Sequence, residues 1–273
     1  MVNSMNTTIH FNDSKHCCNT DINTPFVEFQ HVHKSYLVHQ QPIKIIEDFN
    51  LKIFEGEFIA IVGSSGCGKS TLLRLLAGLD QEFEGQIQIE SKNIHQVRND
   101  CAVVFQEHRL FPWLNVEQNI ELGILNKNIS KVEKKQRIQQ SIISIGLQGF
   151  EKAYPHQLSG GMAQRVSIAR SLITQPKIFL LDEPFGALDA LTRHQMQQEL
   201  LRIHTQEKIT TIFITHDVEE AVSLADRVVI LKPHPGCIEQ IVSIDLPRPR
   251  NRIHPELNQL KEHIFQKLTH HLN

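Results

Sequence analysis

Gly63-Ser64-Ser65-Gly66-Cys67-Gly68-Lys69-Ser70-Thr71 fits G-x-x-x-x-G-K-[ST], a phosphate-binding loop. Its three glycines permit backbone conformations that a Cβ resists, so successive N–H groups can turn inward around phosphate oxygens. The spacing lets Lys69 reach the β- and γ-phosphates and lets Ser70 offer its hydroxyl to Mg²⁺. The flanks suit the motif. Phe58-Ile59-Ala60-Ile61-Val62 before it is a short apolar run and reads as a buried strand. Thr71-Leu72-Leu73-Arg74-Leu75-Leu76-Ala77 after it is rich in helix formers, with Gly78 as a stop. By itself the loop leaves open a Gly/Ser-rich turn with a surface lysine. Strand, loop and helix in this order favour phosphate binding.

The chain has 273 residues, enough for one large domain or two small ones. A 40% hydrophobic and 21% charged composition is that of a soluble globular protein. The formal net charge of −2 argues against nucleic acid as a partner. Five cysteines, at 17, 18, 67, 101 and 237, show neither metal-ligand spacing nor a disulfide framework and fit a reducing setting. No apolar run approaches a membrane span, and the N-terminus does not read as a signal peptide. Membrane association is therefore expected through a partner.

Outward from the loop, residues 1–24 are polar and read as a disordered tail, with His16 and the pair Cys17-Cys18 as incidental features. Phe26 to Val32 reads as a strand, and residues 43–53 resume strand patterning after Tyr36. Gly85-Gln86-Ile87-Gln88-Ile89 alternates as a half-exposed strand. Cys101 to Phe105 is another short apolar strand, ending at Gln106. Residues 107–172 change to helical patterning. Ser130-Lys131-Val132-Glu133 reads as a capping box, and the helix it opens sets Ile138, Ile142 and Ile145 on one face before Gly146. A second helix follows Gly160-Gly161, with Val166, Ala169 and Ile173 on one stripe. Strands then return at 178–181, 211–214 and 227–231, separated by a helix near 190–205 (Met196, Leu200, Ile203) and one at 218–225 capped by Asp217 and Glu220. Such alternation implies a mainly parallel sheet covered on both faces.

In that kind of sheet, ligands sit beyond the carboxyl ends of the strands. Four polar groups fall there: the loop from Gly63, Gln106, Asp182-Glu183 and His216. Asp182 suits a hydrated Mg²⁺. Glu183 is placed to orient or deprotonate a water attacking the γ-phosphate. His216, one of sixteen histidines, reads as a γ-phosphate sensor because it follows Ile212-Phe213-Ile214. Leu158-Ser159-Gly160-Gly161-Met162 opens an amphipathic helix, an anion-binding end with free N–H groups and a favourable dipole.

That last segment resembles the signature motif of ABC-transporter ATPases. With the glycine loop, Gln106, Leu181-Asp182-Glu183, Gly186-Ala187-Leu188-Asp189 and His216 in the family's order, the resemblance spans residues 26–232. It implies an α/β fold: a RecA-like P-loop NTPase core, an antiparallel β subdomain and an inserted α-helical subdomain at about 107–172. The domain would run from 25 to 232, with 233–273 as a C-terminal extension. The resemblance assigns Tyr36 to adenine stacking, although an isolated tyrosine equally suits packing. Gly63, Ser64, Ser65, Gly66, Cys67, Gly68, Lys69, Ser70 and Thr71 would hold ATP. Glu183, His216 and Gln106 would be catalytic. Ser70, Gln106 and Asp182 would hold Mg²⁺, partly through water. Leu158, Ser159, Gly160, Gly161 and Met162 would contact ATP held by a second copy, and Asp189 would join the two sites. Met162 stands where many members have Gln, just past the Ser-Gly-Gly donors.

Gln106-Glu107-His108-Arg109-Leu110-Phe111-Pro112-Trp113-Leu114-Asn115-Val116 carries the one tryptophan. Trp113 is either a core aromatic or part of the groove that receives a permease's coupling helix. Leu-Phe-Pro-Trp with Ser-Gly-Gly-Met looks like nitrate/sulfonate/taurine importer ATPases, and Asp245-Leu246-Pro247-Arg248-Pro249-Arg250 most resembles the aliphatic-sulfonate branch. The expected function is ATP hydrolysis at the cytoplasmic face of the inner membrane. Permease subunits would be the direct partners and an external solute-binding protein an indirect one. Taurine and nitrate remain alternative solutes. A soluble ABC ATPase of DNA repair or translation would carry fused units or long insertions, and a small-molecule kinase would lack the 158–161 signature. The tail beyond the strand at 227–231 reads as too short for an added regulatory domain.

Overall fold

The computed structural model describes residues 24–96, 101–186 and 188–269; the tail with Cys17 and Cys18, and Ala187, lie outside them. Three strands open the described residues: β1 (Val27–Val38), β2 (Gln41–Ile53) and β3 (Phe58–Val62). Tyr36 lies within β1, which runs past the strand expected at Phe26 to Val32. After β3 come α1 (Lys69–Leu76), β4 (Glu84–Ile89), the short β5 (Lys92–Asn93) and β6 (Cys101–Val104). The middle holds α2 (Val116–Glu121), α3 (Lys131–Ser144) and α4 (Gly160–Leu172). The remainder is β7 (Ile178–Asp182), α5 (Ala190–Glu207), β8 (Thr210–Thr215), α6 (Val218–Leu224), β9 (Arg227–Lys232), β10 (Cys237–Ser243) and α7 (Pro255–Thr269).

Among the described residues the strands form two sheets. One is antiparallel, in the order β2-β1-β4-β5. The other, in the order β10-β9-β3-β8-β7-β6, is parallel except for its edge strand β10. This is the P-loop NTPase core with its β subdomain. All five residues of β3 are buried because both faces of the parallel sheet are covered. Phe58, Ala60 and Val62 point into one apolar core with α5, α6 and α7. Ile59 and Ile61 point into another, shared with α1 and the antiparallel sheet. A third core, around Ile120, Ile138, Ile142 and Val166, holds α2, α3 and α4 together as the helical subdomain.

Two helix ends differ from their expected caps. Ser130 Oγ accepts the Glu133 N–H at 3.1 Å, but the Glu133 carboxylate turns to Arg137 at 2.7 Å, so the box is half made. Asp217 Oδ1 caps α6 through the N–H groups of Glu219 and Glu220, while the Glu220 side chain goes elsewhere. In each case a better partner lies within reach, and the carboxylate follows it.

The strand at 227–231 is also not the last one. β10 pairs with β9, and α7 packs Leu257, Leu260 and Ile264 into the first core. Arg250 secures the crossing. Its guanidinium donates to the carbonyls of Val222 at 2.9 Å and Ile244 at 3.0 Å, and its Nε to that of Leu246 at 3.0 Å. Burial lowers its pKa to about 10. Arg250 thereby closes the end of α6.

Candidate functional site

The glycine loop leaves the carboxyl end of β3, at the middle of the parallel sheet. Gly66 (φ +80°) and Gly68 (φ +93°) take left-handed backbone, which turns the loop's N–H groups toward its hollow. A Cβ on Gly68 would also stand 2.3 Å from Ile46 Cδ1, so the antiparallel sheet presses on the loop from behind. Lys69 is buried, and its Nζ donates to the carbonyls of Gly63 at 2.8 Å and Ser64 at 2.9 Å. Ser64 Oγ is buried without a hydrogen-bond partner among the described residues. An ammonium resting on loop carbonyls and an orphaned hydroxyl suit a polyanion that supplies oxygen partners to both.

Strand register brings the other groups to the same edge. Asp182 lies opposite Ile214, and Val62 opposite Thr215, so β7, β8 and β3 end together. Ser70 Oγ donates to Asp182 Oδ1 at 3.1 Å. Burial holds the Asp182 carboxyl above its ordinary range, a state that a nearby cation would reverse. These oxygens, with Gln106 past β6, are hard donors that suit Mg²⁺.

Glu183 has φ +45°, and its half-buried carboxylate accepts from His216 Nδ1 at 3.0 Å. Gln106 is exposed, and its Nε2 approaches the Gly186 turn just beyond Glu183. Tyr36 lines a cleft of about 330 Å³ with Arg74, Asp80 and Arg109. Its hydroxyl donates to Asp80 Oδ2 at 2.8 Å, and Lys34 Nζ stands 4.6 Å from the ring centroid. Burial first, then Asp80, keep the phenol above its usual pKa.

The signature segment is built on α4. Ser159 caps the helix by accepting the Met162 N–H at 3.2 Å, which leaves the N–H groups of Gly160 and Gly161 at the open helix end. Leu158 and Met162 pack on the helical subdomain core. The two glycines differ. A Cβ on Gly161 would meet Thr192 Cγ2 at 2.4 Å, whereas one on Gly160 would meet nothing within 4 Å among the described residues. Thr192 belongs to the α5 end capped by Asp189, whose Oδ1 accepts the Leu191 N–H at 3.1 Å and the Thr192 N–H at 3.0 Å. Thr192 thus joins the signature helix to the Asp189 turn, a contact with no sequence signal.

Trp113 is 68% exposed and Phe111 41%, their ring centroids 5.3 Å apart, so the core reading of the tryptophan does not hold. Their loop is nevertheless well anchored. Buried Asn119 accepts the Phe111 N–H at 2.9 Å and donates to the Leu114 carbonyl at 2.9 Å. Arg170 on α4 donates to the carbonyls of Arg109 and His108.

This sheet edge is the phosphate-handling edge of a P-loop NTPase. Within that class the chain belongs to the ABC transporter family, which it matches over residues 46–186. It is 43% identical over 246 residues to the aliphatic sulfonates import ATP-binding protein SsuB of Bacillus thuringiensis subsp. konkukian, covering 89% of this chain and 96% of that one. It is 47% identical over 231 residues to the bicarbonate transport ATP-binding protein CmpC of Synechocystis sp., covering 82% of this chain and 35% of that one. Among solved structures, the dimeric ATP-binding cassette MJ0796, in a post-hydrolysis state bound to ADP and Pi, matches with a TM-score of 0.72 and 32% identity. That match covers 81% of this chain and 100% of that one.

Proposed function

We propose that the chain is the ATP-hydrolysing subunit of an importer of aliphatic sulfonates. Two copies would close around two shared ATP sites. The empty space over Gly160 carries this reading. Among the described residues no neighbour requires a glycine there, yet the adjoining N–H groups at the end of α4 suit a phosphate supplied from outside. A dimeric relative bound to ADP and Pi supports the shared site.

The geometry supports the following roles. The glycine loop and Lys69 hold the phosphates, and Mg²⁺ at Ser70, Gln106 and Asp182 would neutralise charge on the phosphate oxygens. Glu183 accepts a proton from the attacking water, and His216 steadies the Glu183 carboxylate through the 3.0 Å contact. Gln106 reports on the site to the loop after it. There Phe111 and Trp113, exposed on an anchored turn, dock a membrane permease. This would keep the chain at the cytoplasmic face of the inner membrane, although no helix among the described residues is long and apolar enough to cross it. An external solute-binding protein would then select the cargo.

The sulfonate assignment rests on the relative's name, since the segment 245–250 contacts this chain's own backbone through Arg250. A relative named for bicarbonate transport favours another small anion as the second reading, beside taurine and nitrate. Uptake assays in a deletion strain, with each anion supplied in turn, separate these. For the shared site, Ser159→Arg subunits mixed with wild type are expected to silence the facing site. Normal turnover per mixed dimer would rule the sharing out.

A further inference from the structure

Glu220 is the buried carboxylate that the site's expected chemistry leaves unused. Its side chain is 7% exposed. Its Oε2 accepts from Thr215 Oγ1 at 2.7 Å, and that hydroxyl in turn accepts the Asp217 N–H at 3.0 Å. The residues on either side of His216 are therefore held by one chain of bonds ending at Glu220. On the other side stands Arg193, one turn past Asp189, whose guanidinium donates to the Leu188 carbonyl at 2.9 Å. Arg193 Nε lies 3.8 Å from Glu220 Oε1, and Nη1 lies 3.9 Å from Asp217 Oδ2. These distances give ionic attraction without a hydrogen bond, and Nε is buried with no hydrogen-bond partner among the described residues. A buried guanidinium N–H left unpaired is costly. Here a small shift of the α5 end toward α6 would satisfy it. A cavity of about 40 Å³ between the two turns, bordered also by Glu183, leaves room for that shift.

We infer that Arg193 and Glu220 form a coupling pair that sets the Asp189 turn and His216 in register for hydrolysis, Arg193 acting as a positioning residue. The inference rests on the ATP-hydrolysis reading above. It differs from a simple structural ion pair in how its readouts divide. Glu220 accepts from both Thr215 and Gln197, so Glu220→Gln keeps the shape but cannot keep every bond. Its loss of kcat is expected to exceed what its loss of Tm accounts for, whereas a purely structural pair would lose the two together.

The test uses the purified full chain, with steady-state ATPase kinetics and fluorescent-nucleotide titration. Arg193→Ala and Glu220→Gln are each expected to lower kcat about tenfold with KM and nucleotide affinity within about twofold, and the double variant to be no worse than the worse single. Arg252→Ala is the stability control. Arg252 donates to Gln197 Oε1 at 2.6 Å, and Gln197 donates to Glu220, so this change loosens the same network from outside. It is expected to lower Tm and keep kcat within about twofold. Additive losses in the double variant, or kcat falling only in step with Tm across all variants, overturn the coupling while leaving the ATPase reading intact. A wild-type chain that binds ATP but never hydrolyses it overturns both.

Discussion

Glu183 adopts a left-handed backbone that residues with a Cβ rarely take, a strain of about 1–3 kcal/mol. Its N–H donates to the Ile214 carbonyl at 3.0 Å, and its carbonyl accepts the Gly186 N–H at 3.2 Å, so both sides of the turn hold it there. The side chain is thereby aimed at His216 rather than along the sheet. Glu183→Gln keeps this shape and the reach to His216 but cannot accept a proton. Hydrolysis is expected to fall about 10²–10⁴-fold with ATP affinity retained. Size-exclusion chromatography should then show an ATP-dependent dimer; turnover near wild type would remove Glu183 from its role. At this scale the sequence was highly legible, because phosphate chemistry demands particular residue types at fixed offsets. Lys69, Asp182, Glu183 and His216 are singled out that way, and strand register gathers them at one sheet edge. Arg193, Thr192 and Asp80 are not, because each acts on a group far away in the chain and carries no local pattern.

Elements were legible in kind and less so at their ends. The periodicity of α3 and α4 marked their buried faces, and Ile138, Ile142, Val166 and Ala169 are all in the helical subdomain core. The caps followed local rules only as far as the first bond, since Glu133 found Arg137 and Glu220 found Thr215. The strand β10 was missed because its residues are half-buried on a sheet edge and show no clean alternation. The two signature glycines give a prediction at this scale. Gly161→Ala must displace Thr192 and is expected to destabilise the chain by about 1–3 kcal/mol, read as a lower Tm. Gly160→Ala meets open space and is expected to leave Tm unchanged while weakening the nucleotide-dependent dimer. Equal effects of both changes on Tm would mean that Gly160 is needed for folding instead.

At the scale of the molecule, three apolar cores hold the parallel sheet, the antiparallel sheet and the helical subdomain around one phosphate-facing edge. Phe111 and Trp113 lie outside all three, so Phe111→Ser with Trp113→Ser is expected to change stability by no more than about 0.5 kcal/mol. Loss of the pair should weaken permease binding by about 2 kcal/mol or more, the scale of buried aromatic anchors in interfaces. Co-purification with the permease and permease-stimulated ATPase activity check this; full stimulation would move the docking surface elsewhere. The sequence by itself determined the strand–loop–helix unit and the family, and it set the expected order of the phosphate-handling residues. Those features lie in contiguous runs where backbone geometry and residue chemistry are local. Only the tertiary structure decided that Trp113 faces outward, that Arg250 closes α6, that Gly161 is filled by Thr192 while Gly160 stands open, and that Arg193 faces Glu220. Each of these depends on what folding brings against a residue from a distant part of the chain, and neither periodicity nor spacing encodes that.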